Sequence, residues 1–343
     1  MGARVAGGQK RGSPALAQVL AAIADGRLAV DEALAALAST PGFDDRMRRL
    51  AARAARREGR RVAIRRGAAV RAAMVLAAQR RLSATVADGV HVGRGRHYRA
   101  GSATDEFGLV AYVPAKRSAA LVHPDERVCT VLEGRHGGRP YRLRVDVKPI
   151  PLARKHASVR PGNQATVGTS AAHGSLSCVV QVGGQYTALL SGHVAGASGA
   201  QIFARAINGP MIALGVARPV RDDATMDAAV VAGVDPNEVG WLSLAPAELR
   251  DVSDIHAAIA VTVACADGVV RKTFVEDVGT PAGFAHGAMT GLLGLRPCVT
   301  VDGDSGAVVR DGAGKIVGFV VGGSASNTFA IPARKVLREM LDL

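Results

Sequence analysis

Short apolar runs separated by glycine fill the second half of the chain, and they limit its fold more than any other feature. Runs of roughly four to eight β-branched and apolar residues bounded by glycine are typical of strands. Examples lie at 176–182, 186–191, 211–217, 228–232, 258–265 and 316–321. Helical periodicity returns only in Pro332–Leu341. Many short strands followed by one terminal helix predict an all-β sandwich or a pair of barrels.

The N-terminal part carries helical patterns instead. Residues 14–40 predict a helical hairpin, because Pro14 suits a first turn and a second apolar repeat follows at Val30–Ala38. The apolar face of the first helix consists of Leu16, Val19, Leu20 and Ile23. Residues 43–82 predict one long helix or two.

A change of periodicity marks the border between the helical and the β-rich parts. Residues 83–105 are polar and rich in glycine, so we expect a linker or loops there. Strands are predicted at 108–114 and 142–148, and several prolines follow the second of them. The predicted organisation is a basic helical extension at 1–90, a small β-containing segment at 91–160 and a larger domain at 161–343.

The formal net charge of +14 is concentrated at the N-terminus. Residues 1–90 hold 17 Arg and Lys against 7 Asp and Glu, a balance of +10, whereas the rest holds 26 against 22, a balance of +4. Such an excess attracts nucleic acid or an anionic membrane, but a solvated helical face has the same composition. The arginines between Arg46 and Arg81 recur on all sides of the helix, which argues against an amphipathic membrane helix. We favour the solvated face.

Cysteine spacing and hydropathy exclude several other classes of protein. Cys129, Cys178, Cys265 and Cys298 form no C-x-x-C pair, so no zinc site and no other metal or cofactor is predicted. No stretch approaches the roughly 18 apolar residues of a membrane-spanning helix. The apolar run near the N-terminus is interrupted by Gln18, which makes a poor signal-peptide core. We therefore expect a cytoplasmic location.

The segment Val301–Val309, with the sequence Val-Asp-Gly-Asp-Ser-Gly-Ala-Val-Val, is the strongest indication of chemistry. A serine flanked by glycine on a tight turn presents its hydroxyl with little crowding. Gly303 lets the backbone bring its N–H beside that of Ser305, which makes two donors for a developing oxyanion. Ser305 is therefore the candidate nucleophile.

A serine nucleophile needs a base, and the base needs an orienting carboxylate. Among nine histidines, His193 is predicted to end an apolar strand beside the small residues Gly192 and Ala195, which indicates a side chain that is both held and accessible. Asp227 opens another apolar strand and precedes two alanines that leave space. Asp222 and Asp223 lie in a charged loop and are expected to be solvated, so Asp227 is the preferred carboxylate.

His193 in Leu-Leu-Ser-Gly-His-Val-Ala, Asp227 in Met-Asp-Ala-Ala-Val-Val and Ser305 in Gly-Asp-Ser-Gly resemble the three motifs of the chymotrypsin-like serine peptidases, in their bacterial form. The order His, Asp, Ser matches that family and differs from the orders in α/β-hydrolases and subtilisins. The resemblance covers about residues 165–343. It implies an all-β catalytic domain with a double β-barrel and a C-terminal helix, preceded by the α-helical extension. It also implies a serine endopeptidase that acts on polypeptides.

The sequence departs from that family in two places. Val194 follows His193, so the disulfide that brackets the base in secreted relatives cannot form through that position. No Ile-Val-Gly-Gly start follows a basic site, so activation by a newly cut N-terminus pairing with Asp304 is unsupported. Both departures suit a bacterial, intracellular member.

The resemblance also implies where the primary specificity pocket lies, between the residues before the nucleophile and the strand after it. Its residues would be Val299, Asp302, Val321, Gly322 and Gly323. A carboxylate is missing at the pocket base near Val299, and burying an unpaired cation is costly, so cleavage after small or medium apolar residues is expected. Asp302 is the residue that could instead attract a basic side chain.

A second interpretation keeps the fold but not the activity. In this alternative the chain is an inactive peptidase-fold module, and its basic N-terminal helices bind nucleic acid or a partner protein. Binding that weakens steeply with salt is expected in that case. The presence of all three candidate residues favours the active enzyme, because an idle site is free to lose any of them.

Overall fold

Residues 1–73 and 74–343 form two separate units. In this computed structural model the described residues are 14–25, 27–38, 45–99, 102–117, 122–123, 127–155, 166–169, 172–205, 211–234, 248–285 and 287–343. The predicted boundaries at 90 and 160 stay predictions.

Three helices build the first unit, and the last of them ends within the second. They are α1 (Pro14–Ala24), α2 (Val30–Ala38) and α3 (Asp45–Ser83). Ile23, Leu37 and Ala55 are buried together, and the predicted apolar face of α1 packs against them. The helical hairpin is therefore confirmed. The long helical stretch is a single helix of 39 residues.

Strands dominate the second unit, as the periodicity predicts. The first five are β1 (His91–Arg99), β2 (Ser102–Val113), β3 (Val131–His136), β4 (Arg139–Pro149) and β5 (Arg154–Lys155). The next seven are β6 (Thr166–Gly168), β7 (His173–Ser175), β8 (Cys178–Val182), β9 (Gln185–Leu190), β10 (Gln201–Arg205), β11 (Met211–Asp222) and β12 (Asp227–Ala232). The last six are β13 (Ile259–Ala264), β14 (Val270–Phe284), β15 (Gly287–Arg296), β16 (Val308–Asp311), β17 (Ile316–Gly323) and β18 (Thr328–Pro332). Two helices lie among them, α4 (Gly192–Ala195) and α5 (Ala333–Leu341).

The expectation of a linker at 83–105 is wrong, because most of that stretch forms strands. β1 pairs with β2 along its length and joins β14 through Arg94↔Val278 and Gly95↔Asp277. The C-terminal turns of α3 cover the resulting sheet with Val75, Ala78 and Leu82. Local composition suggested a loop because these strands carry many polar and glycine residues, and their pairing partners lie far away in the sequence.

Six antiparallel strands close into a barrel in the order β13, β16, β17, β18, β15, β14 and back to β13. Branched aliphatic side chains fill its interior, among them Val263, Leu293 and Val317. A second sheet has seven strands in the order β7, β6, β10, β11, β12, β9, β8 and encloses its own core. The two sheets meet over a third cluster that includes Met226, Phe319 and Phe329.

α5 packs Val336, Leu337 and Met340 into the cluster between the two sheets, so the terminal helix fastens them together. Two curled antiparallel sheets followed by a C-terminal helix are the chymotrypsin-like fold, and the predicted fold class is confirmed. Among the described residues, no helix is both long enough and apolar enough to cross a membrane.

Candidate active site

His193 lies on a one-turn helix rather than at the end of a strand. β9 ends at Leu190, Ser191 precedes the turn, and α4 then carries the histidine. Gly192 permits this geometry, because a Cβ built there would lie 2.0 Å from the carbonyl oxygen of Arg221. The close approach brings α4 against the end of β11, beside the first residue of β12.

Asp227, that first residue of β12, contacts His193 with both of its carboxylate oxygens. Oδ2 lies 2.8 Å from the imidazole Nδ1, and Oδ1 accepts a hydrogen bond of 2.9 Å from the backbone N–H of His193. The Asp227 side chain is fully buried, and that of His193 is 9% exposed. The pair fixes the ring orientation and the tautomer, because an ionised carboxylate accepts a hydrogen bond from protonated Nδ1.

The electrostatic surroundings keep Asp227 ionised. Burial raises the pKa of this carboxyl, but the adjacent His193 and its hydrogen bonds outweigh burial and hold the pKa below its usual value. Asp222 and Asp223 serve other purposes. Asp222 pairs with Lys155, and Asp223 caps the turn before β12 by accepting from the backbone N–H groups of Thr225 and Met226.

Ser305 sits on the tight turn that the sequence predicts. Gly303 has φ +100°, a conformation that side-chain-bearing residues avoid. Asp304 is buried and accepts hydrogen bonds from the backbone N–H of Ala266 at 2.7 Å and of Val301 at 2.8 Å. These internal donors hold the turn, so its geometry needs no newly cut N-terminus.

The seven-stranded sheet contributes a second clamp on this turn, through β7, which sequence reasoning missed. The backbone N–H of Ser175 donates to the carbonyl oxygen of Ser305 at 2.6 Å, and its hydroxyl donates to the carbonyl oxygen of Gly303 at 3.1 Å. A Cβ built at Gly174 would lie 2.6 Å from the Ser305 carbonyl oxygen and 2.8 Å from a methyl of Val194. Only a residue without a side chain therefore fits at position 174, between the nucleophile turn and Val194. No local signal in His-Gly-Ser-Leu-Ser pointed to this role.

The hydroxyl of Ser305 is hydrogen-bonded to a backbone carbonyl oxygen and not to the imidazole of His193. Ser305 is fully buried, and its Oγ donates a hydrogen bond of 2.9 Å to the carbonyl oxygen of Val321. Nε2 of His193 is buried and has no hydrogen-bond partner within the described part of the chain. Proton transfer between the two groups requires the hydroxyl to leave the Val321 carbonyl.

The five residues of the predicted pocket do not share one environment. Val321 is fully buried in the cluster between the sheets, and Val299 packs against the barrel core. Asp302 is half exposed and lies 3.7 Å from a guanidinium nitrogen of Arg154. Gly322 and Gly323 end β17 and pair with β5.

An open cavity of about 460 Å³ lies next to these residues. It is lined by Leu152, Ala153, Arg154, Cys298, Thr300, Gly323, Ser324 and Ala325. Of the five predicted pocket residues, only Gly323 is in that lining. Small side chains make up most of the wall, and Cys298 and Thr300, which flank Val299 in sequence, line it where Val299 does not.

All four cysteines lie in the described part of the chain, and none is in a disulfide. Cys178 and Cys265 are buried, and burial raises the pKa of the Cys265 thiol to about 11. These two thiols are therefore protonated near neutral pH.

Comparison with solved structures finds chymotrypsin-like serine proteases that match about half of the chain. A glutamic acid-specific serine protease is 18% identical over 53% of this chain and 97% of that protein, with a TM-score of 0.39. Protease A of Thermobifida fusca is 18% identical over 52% and 95%, with a TM-score of 0.39. The MamO protease domain of Magnetospirillum magneticum is 16% identical over 53% and 98%, with a TM-score of 0.36. No protein-family model and no curated protein matches the chain.

Proposed function

We propose that this protein is a serine endopeptidase in which Ser305 is the nucleophile, His193 the general base and Asp227 the carboxylate that orients it. The observation that carries the proposal is the double contact between Asp227 and His193. A buried carboxylate that fixes the Nδ1 side of an imidazole leaves Nε2 as the basic nitrogen. That nitrogen has no partner within the described residues, so it is available for a proton.

The proposed reaction uses these three residues in turn. The Ser305 hydroxyl turns from the Val321 carbonyl toward Nε2, gives its proton to the imidazole and attacks the peptide carbonyl carbon through Oγ. The imidazolium, stabilised by Asp227, then returns that proton to the departing amine as the C–N bond breaks. Water attacks the resulting ester with His193 again as base, which releases the acid and restores Ser305.

The N–H groups of Gly303 and Ser305 are the proposed donors to the oxyanion. The positive φ of Gly303 and the two clamps on the turn, through Asp304 and Ser175, support this assignment. Donors that are fixed before the reaction stabilise the developing charge without reorganisation, and the loss of one such donor typically costs about 10²–10³ in kcat.

Labelling with a fluorophosphonate tests the proposal directly, because this probe forms a covalent bond with an activated serine. We expect labelling of the wild type and none of Ser305→Ala or His193→Ala. Ser253→Ala, a change at an exposed serine remote from β17 in sequence, is the matched control and should label fully. If the wild type fails to label while it is folded, the inactive binding module becomes the better interpretation.

A further inference from the structure

The strap, residues 151–155, lies against two strands of the barrel, β14 and β17. Its last two residues form β5, which pairs antiparallel with β17 through Gly322↔Lys155 and Gly323↔Arg154. Upstream, Ala153 N–H donates to the carbonyl oxygen of Gly283 at 2.7 Å, and Gly283 N–H donates to that of Pro151 at 2.9 Å. The strap is thus held by backbone hydrogen bonds to two strands of the barrel.

The edge of β17 that the strap covers is the edge beside the nucleophile. Gly306 N–H donates to the Val320 carbonyl oxygen, and Ser305 Oγ donates to that of Val321. Gly322 and Gly323 are the next two residues along the same strand. Their other edge is already paired with β18. An extended peptide whose scissile carbonyl reaches Ser305 can therefore add to β17 only on the edge that the strap holds.

Close backbone packing shows that the strap and a second peptide cannot share this edge. A Cβ built at Gly322 would lie 2.0 Å from the carbonyl oxygen of Arg154 and 2.9 Å from Cα of Lys155. The strap residues Leu152, Ala153 and Arg154 also form one wall of the 460 Å³ cavity. A peptide that fills the edge must first displace the strap.

Side-chain contacts anchor the strap at its C-terminal end. Lys155 forms an ion pair with Asp222, and both side chains are largely covered, with exposed fractions of 15% and 30%. The Lys155 ammonium also lies 5.9 Å from the centroid of the Phe284 ring. A covered ion pair with an aromatic neighbour contributes more than a pair in bulk water does.

We propose that the strap inhibits the enzyme in cis by occupying the substrate-binding edge of β17, with Asp222 as the residue that recognises the basic side chain of Lys155. This inference rests on the proposed peptidase function. It also names a substrate class: a polypeptide with Lys or Arg at the position that Lys155 occupies takes over the contact with Asp222 and displaces the strap.

The expected size of the effect follows from competition. If the edge is free in a fraction f of molecules, the apparent Kd for a peptide is the intrinsic value divided by f. A strap that leaves about 1–10% of the molecules free therefore raises the apparent KM for an uncharged peptide by about 10- to 100-fold. Removing an anchor of the strap should lower the apparent KM by much of that factor without changing the chemistry at Ser305.

The first test compares variants on an uncharged peptide substrate. Lys155→Ala and Asp222→Asn remove the two sides of the anchor, and Ala153→Pro removes the N–H that bonds Gly283. We expect kcat/KM to rise at least about fivefold in each, mainly through a lower KM. Lys315→Ala, at an exposed lysine in the turn after β16, is the matched control and should leave kcat/KM unchanged. Unchanged kcat/KM in all three folded strap variants would overturn the proposal.

The second test does not depend on turnover. Hydrogen exchange of wild-type backbone amides at 152–155 is measured after reaction with either a small fluorophosphonate or a peptidyl phosphonate several residues long. We expect protection to persist with the small probe and to be lost with the peptidyl probe. Reaction of the peptidyl probe while the strap amides stay protected would refute inhibition by the strap but not the peptidase function. Failure of both probes to react with Ser305 would refute the peptidase function itself.

Discussion

Asp227 contacts His193 twice, once at the imidazole Nδ1 (2.8 Å) and once at the backbone N–H (2.9 Å). The backbone contact fixes where α4 begins, and the ring contact fixes how the imidazole is turned. Replacement by asparagine keeps the shape of the side chain but replaces one carboxylate oxygen by an NH₂ donor, which favours the wrong imidazole tautomer.

Asp227→Asn should therefore lower kcat for peptide or ester hydrolysis by about 10⁴-fold. Asp223→Asn is the matched control, since Asp223 lies four residues away, caps the turn before β12 and has no contact with His193 among its described partners. Steady-state kinetics on both purified variants would check this. Near-normal turnover in Asp227→Asn, together with its loss in Asp222→Asn or Asp223→Asn, would show that another carboxylate orients the histidine.

A methyl group at Gly174 should disturb the nucleophile without touching it. The built Cβ lies 2.6 Å from the Ser305 carbonyl oxygen, so Gly174→Ala must move the turn or α4 by several tenths of an ångström. Misplacement of about 1 Å costs about 10²-fold in rate, so we expect a loss of up to that size in kcat. Gly312→Ala is the control, because a Cβ there meets nothing within 4 Å. Equal activity of the two variants would contradict the clamp.

Asp223 should support the fold in a window of acidic pH. Burial raises the pKa of this carboxyl, but hydrogen bonds from Thr225, Arg221 and Met226 outweigh it and bring the pKa to about 2. Because the folded-state pKa lies below the unfolded value of about 3.9, the stabilisation is fully present above about pH 4 and is lost as the pH falls toward 2.

Urea unfolding of the wild type and Asp223→Asn between pH 7 and about pH 2 would measure this. The difference in unfolding free energy between the two proteins should be constant above about pH 5 and shrink below about pH 4. A difference that grows on acidification would mean that the carboxyl is stabilised in its protonated form instead.

The sequence predicts those parts of the candidate site that are formed by residues close together in the chain. Gly303 and Ser305 share one turn whose residues dictate its conformation, and the strand and helix runs around them obey their periodicities. Gly174, Ser175 and Lys155 were missed for a common reason. Each of the three contacts a residue more than sixty positions away in the sequence. Each also lies on a strand whose register no local pattern specifies.

The same limit explains the misjudged stretch at 83–105. Its glycines look like loop residues, but Gly93 and Gly95 lie where β1 pairs closely with β14, and a Cβ built at Gly95 would meet the Asp277 side chain. Close approach of two strands and a flexible loop both favour glycine. Only the partner strand distinguishes them.

Two truncations should therefore behave differently. Removal of residues 1–73 leaves the second unit complete, whereas removal of 1–90 also takes away Val75, Ala78 and Leu82, which cover the sheet of β1, β2 and β4. Uncovering such side chains costs about 1.5–3 kcal/mol for each large one. We expect the shorter truncation to unfold at the temperature of its unit in the full chain, and the longer one to melt lower or aggregate. Identical melting by circular dichroism would show that the end of α3 is dispensable.

Specificity at the primary pocket can be tested once the strap is weakened. Profiling Lys155→Ala with a peptide library should give cleavage after Ala, Val or Leu, because small side chains form most of the cavity wall and no carboxylate is among its described lining residues. Asp302 is half exposed at the rim and pairs with Arg154, so Asp302→Ala should leave the preference unchanged. A dominant preference for cleavage after Arg or Lys that Asp302→Ala abolishes would overturn the pocket assignment.

The strap precedes every strand of the barrel in the chain, so it is synthesised before the edge that it covers. Gly322 and Gly323 expose backbone groups on an apolar strand, and a bare edge of that kind can pair with the same edge of another molecule. During folding the strap fills this edge within its own chain. Release of the strap for catalysis therefore lowers the solubility of the protein, because each molecule that releases the strap without binding substrate exposes a strand edge that can nucleate aggregation.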